Sequence, residues 1–255
     1  PVDWEAWDEA ALRERIRSNP QVKDKSLADA PRPFRMACIQ LCTYDGTVYN
    51  VRKVLERIGH LCDYVLWDEA WIGYNAFHPL FDGHSPMRLE DLSPESCGLF
   101  STQSVHKQGA GFSQASQIHK RDEHLRGQKR FVDHARFNES FLQHVSTSPF
   151  YPLFASLDVN AKVHEGKAGE MLWDRCIELT IEARKKLREF GQHFARSGRG
   201  PEEQWFFDPF VPDRVSVRGS AFGADAIDVP WESLSTELLK REQQCWNFEP
   251  GAAWH

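Results

Sequence analysis

FRMACIQLCTYDGTVYNVRKVLERIGHLCDYVLWDE occupies residues 34–69, and its hydrophobic rhythm changes twice along the way. Phe34 to Cys42 alternates and then fills with apolar residues, the pattern of a buried strand. T-Y-D-G-T-V-Y-N is turn chemistry, sharpest at Asp45-Gly46. Val51, Val54, Leu55, Ile58 and Leu61 then recur at helical spacing, and Asp63 to Glu69 reads as a second strand ending in acids. Strand, helix and strand within about 35 residues predict a right-handed crossover between parallel strands. The fold class is therefore α/β, a mainly parallel sheet with flanking helices. Asp68 and Glu69 fall at the carboxyl end of a strand, where open α/β sheets place their ligand sites.

Upstream, Trp4 to Arg17 carries apolar residues at helical spacing with acids early and arginines late. Downstream, the loop Ala70 to Glu95 is long and rich in Gly, Pro, His and aromatics, which marks it as functional or mobile. The next stretch, G-L-F-S-T-Q-S-V-H-K-Q-G-A-G-F-S-Q-A-S-Q-I-H (Gly98 to His119), sets Lys107 between two strand-like runs, beside Ser101, Thr102, Ser104 and His106. A lysine enclosed there must be paired with an anion or chemically employed. Arg136 to His144 and Leu153 to His164 read as helices on either side of a turn at Ser146 to Tyr151. Glu170 to Phe194 is the longest helical signal, with Leu172, Cys176, Leu179, Ala183, Leu187 and Phe190 on one packing stripe. Residues 1–195 read as one large domain, 196–228 as a linker or excursion, and 229–255 as the start of a further portion that is cut off.

The chain has 255 residues and 41% hydrophobic content, enough for a substantial core. Lys+Arg 31 against Asp+Glu 37 leaves a formal charge of −6, which provides no basic field for nucleic acid or anionic membranes. No apolar run reaches the roughly 20 residues a membrane span needs, and the N-terminus is unlike a signal peptide. Cys38, Cys42, Cys62, Cys97, Cys176 and Cys245 lack C-x-x-C spacing and mostly have apolar neighbours, so they read as free core thiols in a reducing, cytoplasmic setting. The histidines show no H-E-x-x-H or other ligand spacing, so no metal site is expected. The chain starts at Pro1 and stops at Gly251 to His255, and reads as a piece of something longer.

Two chemistries suit Ser104-Val105-His106-Lys107. In one, S-x-x-K, Lys107 deprotonates a nucleophilic Ser104. That pattern is short, its K-T-G and S-D-N companions are absent, and Gly109-Ala110-Gly111 argues against the helix it should open. In the other, Lys107 is a Schiff-base lysine, which needs a lowered pKa, a dry setting and neighbours that hold an anionic cofactor. Ser104 and His106 could supply phosphate contacts, and Asp68 on the same sheet edge could pair with a pyridinium nitrogen. Taken alone, Asp68 reads more readily as an ordinary strand-end acid capping a turn.

D-E-A-W-I-G-Y (Asp68 to Tyr74), S-T-Q-S-V-H-K-Q-G-A-G-F-S-Q-A-S-Q-I-H-K (Ser101 to Lys120) and H-V-S-T-S-P-F-Y-P-L-F-A-S-L-D-V-N-A-K-V-H-E-G (His144 to Gly166) resemble, in order, the bacterial ornithine/lysine/arginine decarboxylases. S-V-H-K-Q with S-P-F-Y-P-L-F is most similar to the ornithine branch, and T-Y-D-G-T-V-Y-N and F-E-P-G-A-A-W-H match as well. The resemblance implies the aspartate-aminotransferase fold (fold type I), with residues 1–195 as the C-terminal half of its large domain and 229–255 opening the small domain. It implies pyridoxal 5'-phosphate as cofactor, with Lys107 bound to it covalently and Asp68 on its pyridine nitrogen. Ala70 and Trp71 would line it, and Ser104 and His106 would contact its phosphate. Ser146 would reach the phosphate in a partner subunit, which implies a homodimer or higher oligomer. The implied activity is decarboxylation of a basic amino acid in polyamine biosynthesis, ornithine ahead of lysine or arginine, with a non-catalytic relative that keeps the fold as the competing reading. Family chains also carry an N-terminal wing domain and a first half of the large domain that holds a hydroxyl-rich phosphate loop and a ring-stacking aromatic residue.

Overall fold

The computed structural model describes residues 7–44, 46, 48–81, 83–196, 214–219, 223–230 and 233–241. They form two compact units. One runs through Ala76 and resumes over Phe81–Glu165; the other takes Phe77–Leu80 and the chain from Gly166 onward.

In the first unit, α1 (Glu9–Ser18) starts where the Asp8 carboxylate accepts the Ala10 N–H, and arginines occupy its last turn. Arg13 bonds the carbonyls of Ala28 and Ala30, which fastens the helix to the chain leading into the sheet. The crossover expected from residues 34–69 is present. Strand β1 (Phe34–Gln40) leads to α2 (Val51–Ile58), a 3-10 turn follows, and β2 (Cys62–Asp68) lies parallel to β1. Asn50 caps α2 by accepting the Lys53 N–H, and the helix buries Val51, Val54 and Ile58. Strand β3 (Gly98–Gln103) pairs parallel with β2, and β4 (Gln117–Arg121) closes the sheet antiparallel to β3, in the order β1-β2-β3-β4.

Side chains alternate between the two faces of this sheet. Ile39, Val65, Trp67 and Leu99 point into the core with the α2 residues, while Tyr64, Phe100 and Leu125 form a smaller cluster with Leu66, Phe131 and Phe137. A one-turn helix, α3 (Val105–Gln108), follows β3. Helix α4 (His134–Leu142), capped by Asp133, and α5 (Tyr151–Val163), with Pro152 in its first turn, lie close to their expected positions. The loop after β2 contains three 3-10 turns, Gly73–Phe77, Pro79–Phe81 and Pro86–Arg88.

The second unit holds the long helix α6 (Gly166–Arg196), a β5–β6 hairpin (Arg214–Gly219 and Gly223–Pro230) and α7 (Thr236–Arg241). Lys185 donates to Leu234 O at 2.7 Å, and Asp174 lies 2.9 Å from Lys240 and 3.5 Å from His78. The helix expected from residue 170 is present, but the stripe needs correction: Leu172, Leu179 and Phe190 are exposed, and the buried residues are Gly169 and Ile181. Periodicity shows that a helix has an apolar face without showing what covers it. The hairpin straddles the 228/229 boundary drawn from composition. Trp4, Cys245 and F-E-P-G-A-A-W-H lie outside the described residues.

Cys42, Cys62 and Cys97 are buried, whereas Cys38 and Cys176 are exposed, so the reading of core thiols holds for three of the five described. Burial pushes the Cys62 thiol up to about 12 and Cys97 up to about 11, which leaves both unreactive. No helix among the described residues is long and apolar enough to cross a membrane, and no group of His, Cys, Asp and Glu among them could hold a metal ion.

Candidate functional site at the carboxyl edge of the sheet

Strands β1, β2 and β3 run in one direction, so their carboxyl ends share an edge. Gln40 stands beside Asp68 and Asp68 beside Thr102, and the ladder continues past the strand ends through Leu41 N to Asp68 O and Glu69 N to Thr102 O, each 2.9 Å. Asp68 is exposed there. Its Oδ1 accepts the Ala70 N–H at 2.9 Å, and Oδ2 makes no hydrogen bond among the described residues. One carboxylate oxygen is thus held by the chain and the other is open.

Lys107 lies on α3, directly after β3. Two expectations need correction here. The glycines do not prevent a helix; they end it after one turn, with Gly109 N on Val105 O at 3.0 Å. The lysine is also exposed on this turn, just past the end of β3. Among the described residues no carboxylate pairs with it, and its Nζ sits 4.6 Å from the centroid of the Trp71 ring. Tyr44 packs edge-on against the same indole at 5.3 Å. Ser104 caps α3 without a side-chain capping bond, and its hydroxyl makes no hydrogen bond among the described residues. His106 is tied twice to Ala115 O, by its own N–H at 3.2 Å and by Nδ1 at 2.9 Å. A carbonyl only accepts, so Nδ1 carries the hydrogen and, in the neutral ring, Nε2 is an acceptor.

Asp68, Ala70, Trp71, Ser104, His106 and Lys107 therefore come from the ends of neighbouring strands and the segments just after them. Ser146 stands apart from them on the exposed turn before α5, where its hydroxyl accepts the Ser148 N–H at 3.1 Å.

Beneath this edge lies a polar network that sequence reasoning missed. Glu69 shares a face with Val65 and Trp67 and is fully buried. Its carboxylate accepts from Asn75 Nδ2 at 3.0 Å, Gln103 Nε2 at 2.8 Å and Ser101 Oγ. Gln103 Oε1 accepts in turn from Gln117 Nε2 at 2.8 Å and His119 Nε2 at 3.2 Å. Burial lifts the Glu69 pKa, against the opposite pull of its three donors. Burial also lowers that of His119, which favours the neutral imidazole. The network ties the turn after β2 to β3 and β4, and Gly73 fits against Gln103, where a Cβ would sit 3.1 Å from Cδ. The available signal was parity: Glu69 falls two residues after Trp67.

The chain matches the family described as Orn/Lys/Arg decarboxylase, major domain, over residues 1–255. It belongs to that family. It is 48% identical over 254 residues to the constitutive ornithine decarboxylase of Escherichia coli, covering 100% of this chain and 32% of that protein. It is 47% identical over 241 residues to the inducible ornithine decarboxylase of Lactobacillus sp. (strain 30a), covering 94% and 30%. Among solved structures, the Francisella novicida lysine decarboxylase LdcF superposes with a TM-score of 0.66 at 31% identity, over 82% of this chain and 25% of that one. Relatives named arginine and lysine decarboxylases match at 31%. The chain spans about a third of the length of the curated relatives it matches. Its mostly parallel sheet with flanking helices is that of the fold-type-I decarboxylases, as the resemblance implied.

Proposed function

We propose that the protein of which this chain is part removes the carboxylate of L-ornithine to give putrescine and CO2. Pyridoxal 5'-phosphate would be its cofactor, its compartment would be the cytoplasm, and a homodimer would be its working form. The observation that supports the reaction class best is the meeting, on one sheet edge, of an amine without a carboxylate partner among the described residues, Lys107, and a half-committed acid, Asp68. Ornithine is preferred because relatives named for it stand at 47% and 48% identity, against 31% for those named for arginine or lysine. The buried thiols suit a reducing compartment.

The residues present suit that cofactor. Lys107 Nζ would hold its aldehyde carbon, Asp68 its ring nitrogen, and Ser104 Oγ its phosphate, while Ala70 and Trp71 would flank it. His106 can donate to a phosphate from Nε2 without leaving Ala115 O only as the doubly protonated imidazolium. When bound, pyridoxal phosphate supplies an electron sink for the pair released as the carboxylate bond breaks. Asp68 would favour a proton on the ring nitrogen, because a fixed negative charge beside it stabilises the cationic form. The Ala70 N–H holds that carboxylate in place while this happens. Lys107 Nζ would be the amine that holds the cofactor and yields that place to the substrate amine, and the overall reaction would take up one proton for each CO2 lost. Ser146 would serve the neighbouring subunit's site.

The test is borohydride reduction of the full-length protein with pyridoxal phosphate, followed by peptide mapping and by decarboxylation assays with ornithine, lysine and arginine. A pyridoxyl group on Lys107, absent in Lys107→Ala, and a kcat/KM highest for ornithine are expected. An unlabelled Lys107 overturns the reading.

A further inference from the structure

Helix α5 is largely exposed, yet Ser156 and Asn160 on it are 5% and 7% exposed, four residues apart and so on one face. Buried polar side chains on a helix cost free energy unless they are bonded. Both are bonded to the backbone just after Lys107. Asn160 Oδ1 accepts the Ala110 N–H at 2.8 Å, and Ser156 Oγ accepts the Phe112 N–H at 3.0 Å while donating to Leu153 O at 2.7 Å. The loop passes so close that a Cβ on Gly109 would lie 2.6 Å from Asn160 Oδ1, and one on Gly111 would lie 2.9 Å from Val105 Cγ1. At its far end the loop is held by Ala115 O, which takes both hydrogen bonds from His106. The backbone around Lys107 is thus pinned on both sides, while the lysine side chain is exposed and has no carboxylate partner among the described residues. An amine that must leave and re-enter a covalent bond needs this combination of a fixed Cα and a free Nζ.

We infer that Ser156 and Asn160 are positioning residues which hold the Lys107 loop for reaction, an inference that rests on the role proposed for that lysine. The experiment compares the full-length protein carrying pyridoxal phosphate with Asn160→Ala, Asn160→Asp and Ser156→Ala. It measures amide exchange over residues 109–112, the pH midpoint of the cofactor's absorption band, and kcat and KM separately. In Asn160→Ala, exchange over 109–112 should rise about tenfold or more with β2 and β3 unchanged, and the midpoint should shift. Its kcat should fall on the order of 10- to 100-fold at near-constant KM, because displacement of a reacting group by about 1 Å costs about 10²-fold. Asn160→Asp keeps the acceptor and should restore protection and most of kcat. Should Asn160→Ala not fold, Ser156→Ala removes one hydroxyl and is read by the same measures. Faster exchange with parental kcat and midpoint, or unchanged exchange, overturns the clamp while a pyridoxyl-labelled Lys107 leaves the reading of the site standing. An unlabelled Lys107 in the parent protein overturns both.

Discussion

At the scale of single residues, the adjacent acids Asp68 and Glu69 have opposite surroundings. Asp68 is exposed with one oxygen open, whereas Glu69 is sealed beneath it with three donors on its carboxylate. Asp68→Asn should retain part of the cofactor and lose roughly 10²-fold or more in kcat, the scale of removing one electrostatic partner of a transition state. Near-parental turnover would remove Asp68 from its role. Glu69 leads to a prediction about stability. Its folded pKa is raised, so the protonated form is favoured on folding. The contribution is complete below the unfolded value of about 4.3 and is lost as pH rises through the folded one. Glu69→Gln should therefore flatten this loss. Urea midpoints from pH 4.5 to 8 should show the parent losing ground to the variant as pH rises, and a constant difference would mean that the carboxyl does not titrate there. Asp68 was legible because a strand end is a local feature. Glu69 was not, since its value comes from Asn75, Ser101 and Gln103, three positions scattered along the chain.

At the scale of elements, the β2–β3 pairing depends on Gly98, which stands opposite Tyr64. A Cβ there would lie 2.2 Å from Tyr64 Cε1, and the phenol is held by Asp122 at 2.9 Å and by Val132 N at 3.0 Å. The ring cannot move aside cheaply. Gly98→Ala should cost about 1–3 kcal/mol, the range of overpacked sites, seen as a lower urea midpoint with an unchanged slope. The four strands and the helices on either side of Ser146 were visible as changes in hydrophobic period. The helical turn at Lys107 was not, because Gly109 and Gly111 read as breakers and only the hydrogen bonds from α5 show the loop held in one place. The polar pair on α5 left a trace in the sequence, a serine and an asparagine four apart, but spacing does not show which backbone they meet.

At the scale of the whole molecule, the chain spans about a third of its relatives' length, and its α4–α5 segment exposes large apolar side chains. Phe141, Leu142, Phe150, Tyr151 and Phe154, on α4, α5 and the turn between them, are 44% to 76% exposed. Large apolar side chains exposed in such number within one short segment are the kind that a partner surface covers. Residues 1–255 produced alone should sediment as mixed oligomers and bind a hydrophobic dye more strongly than the full-length protein, and Tyr151→Glu with Phe154→Glu should reduce both. A clean, dye-silent monomer would count against it. The sequence by itself determined the crossover unit and the two strands that flank Lys107, because alternation, helical spacing and turn residues are properties of neighbouring positions. Only the tertiary structure decided that Lys107 is exposed while its backbone is pinned, that Glu69 is buried, and which face of α6 is covered. Burial and hydrogen bonding depend on segments far apart in the chain, and no local pattern records which of them will meet.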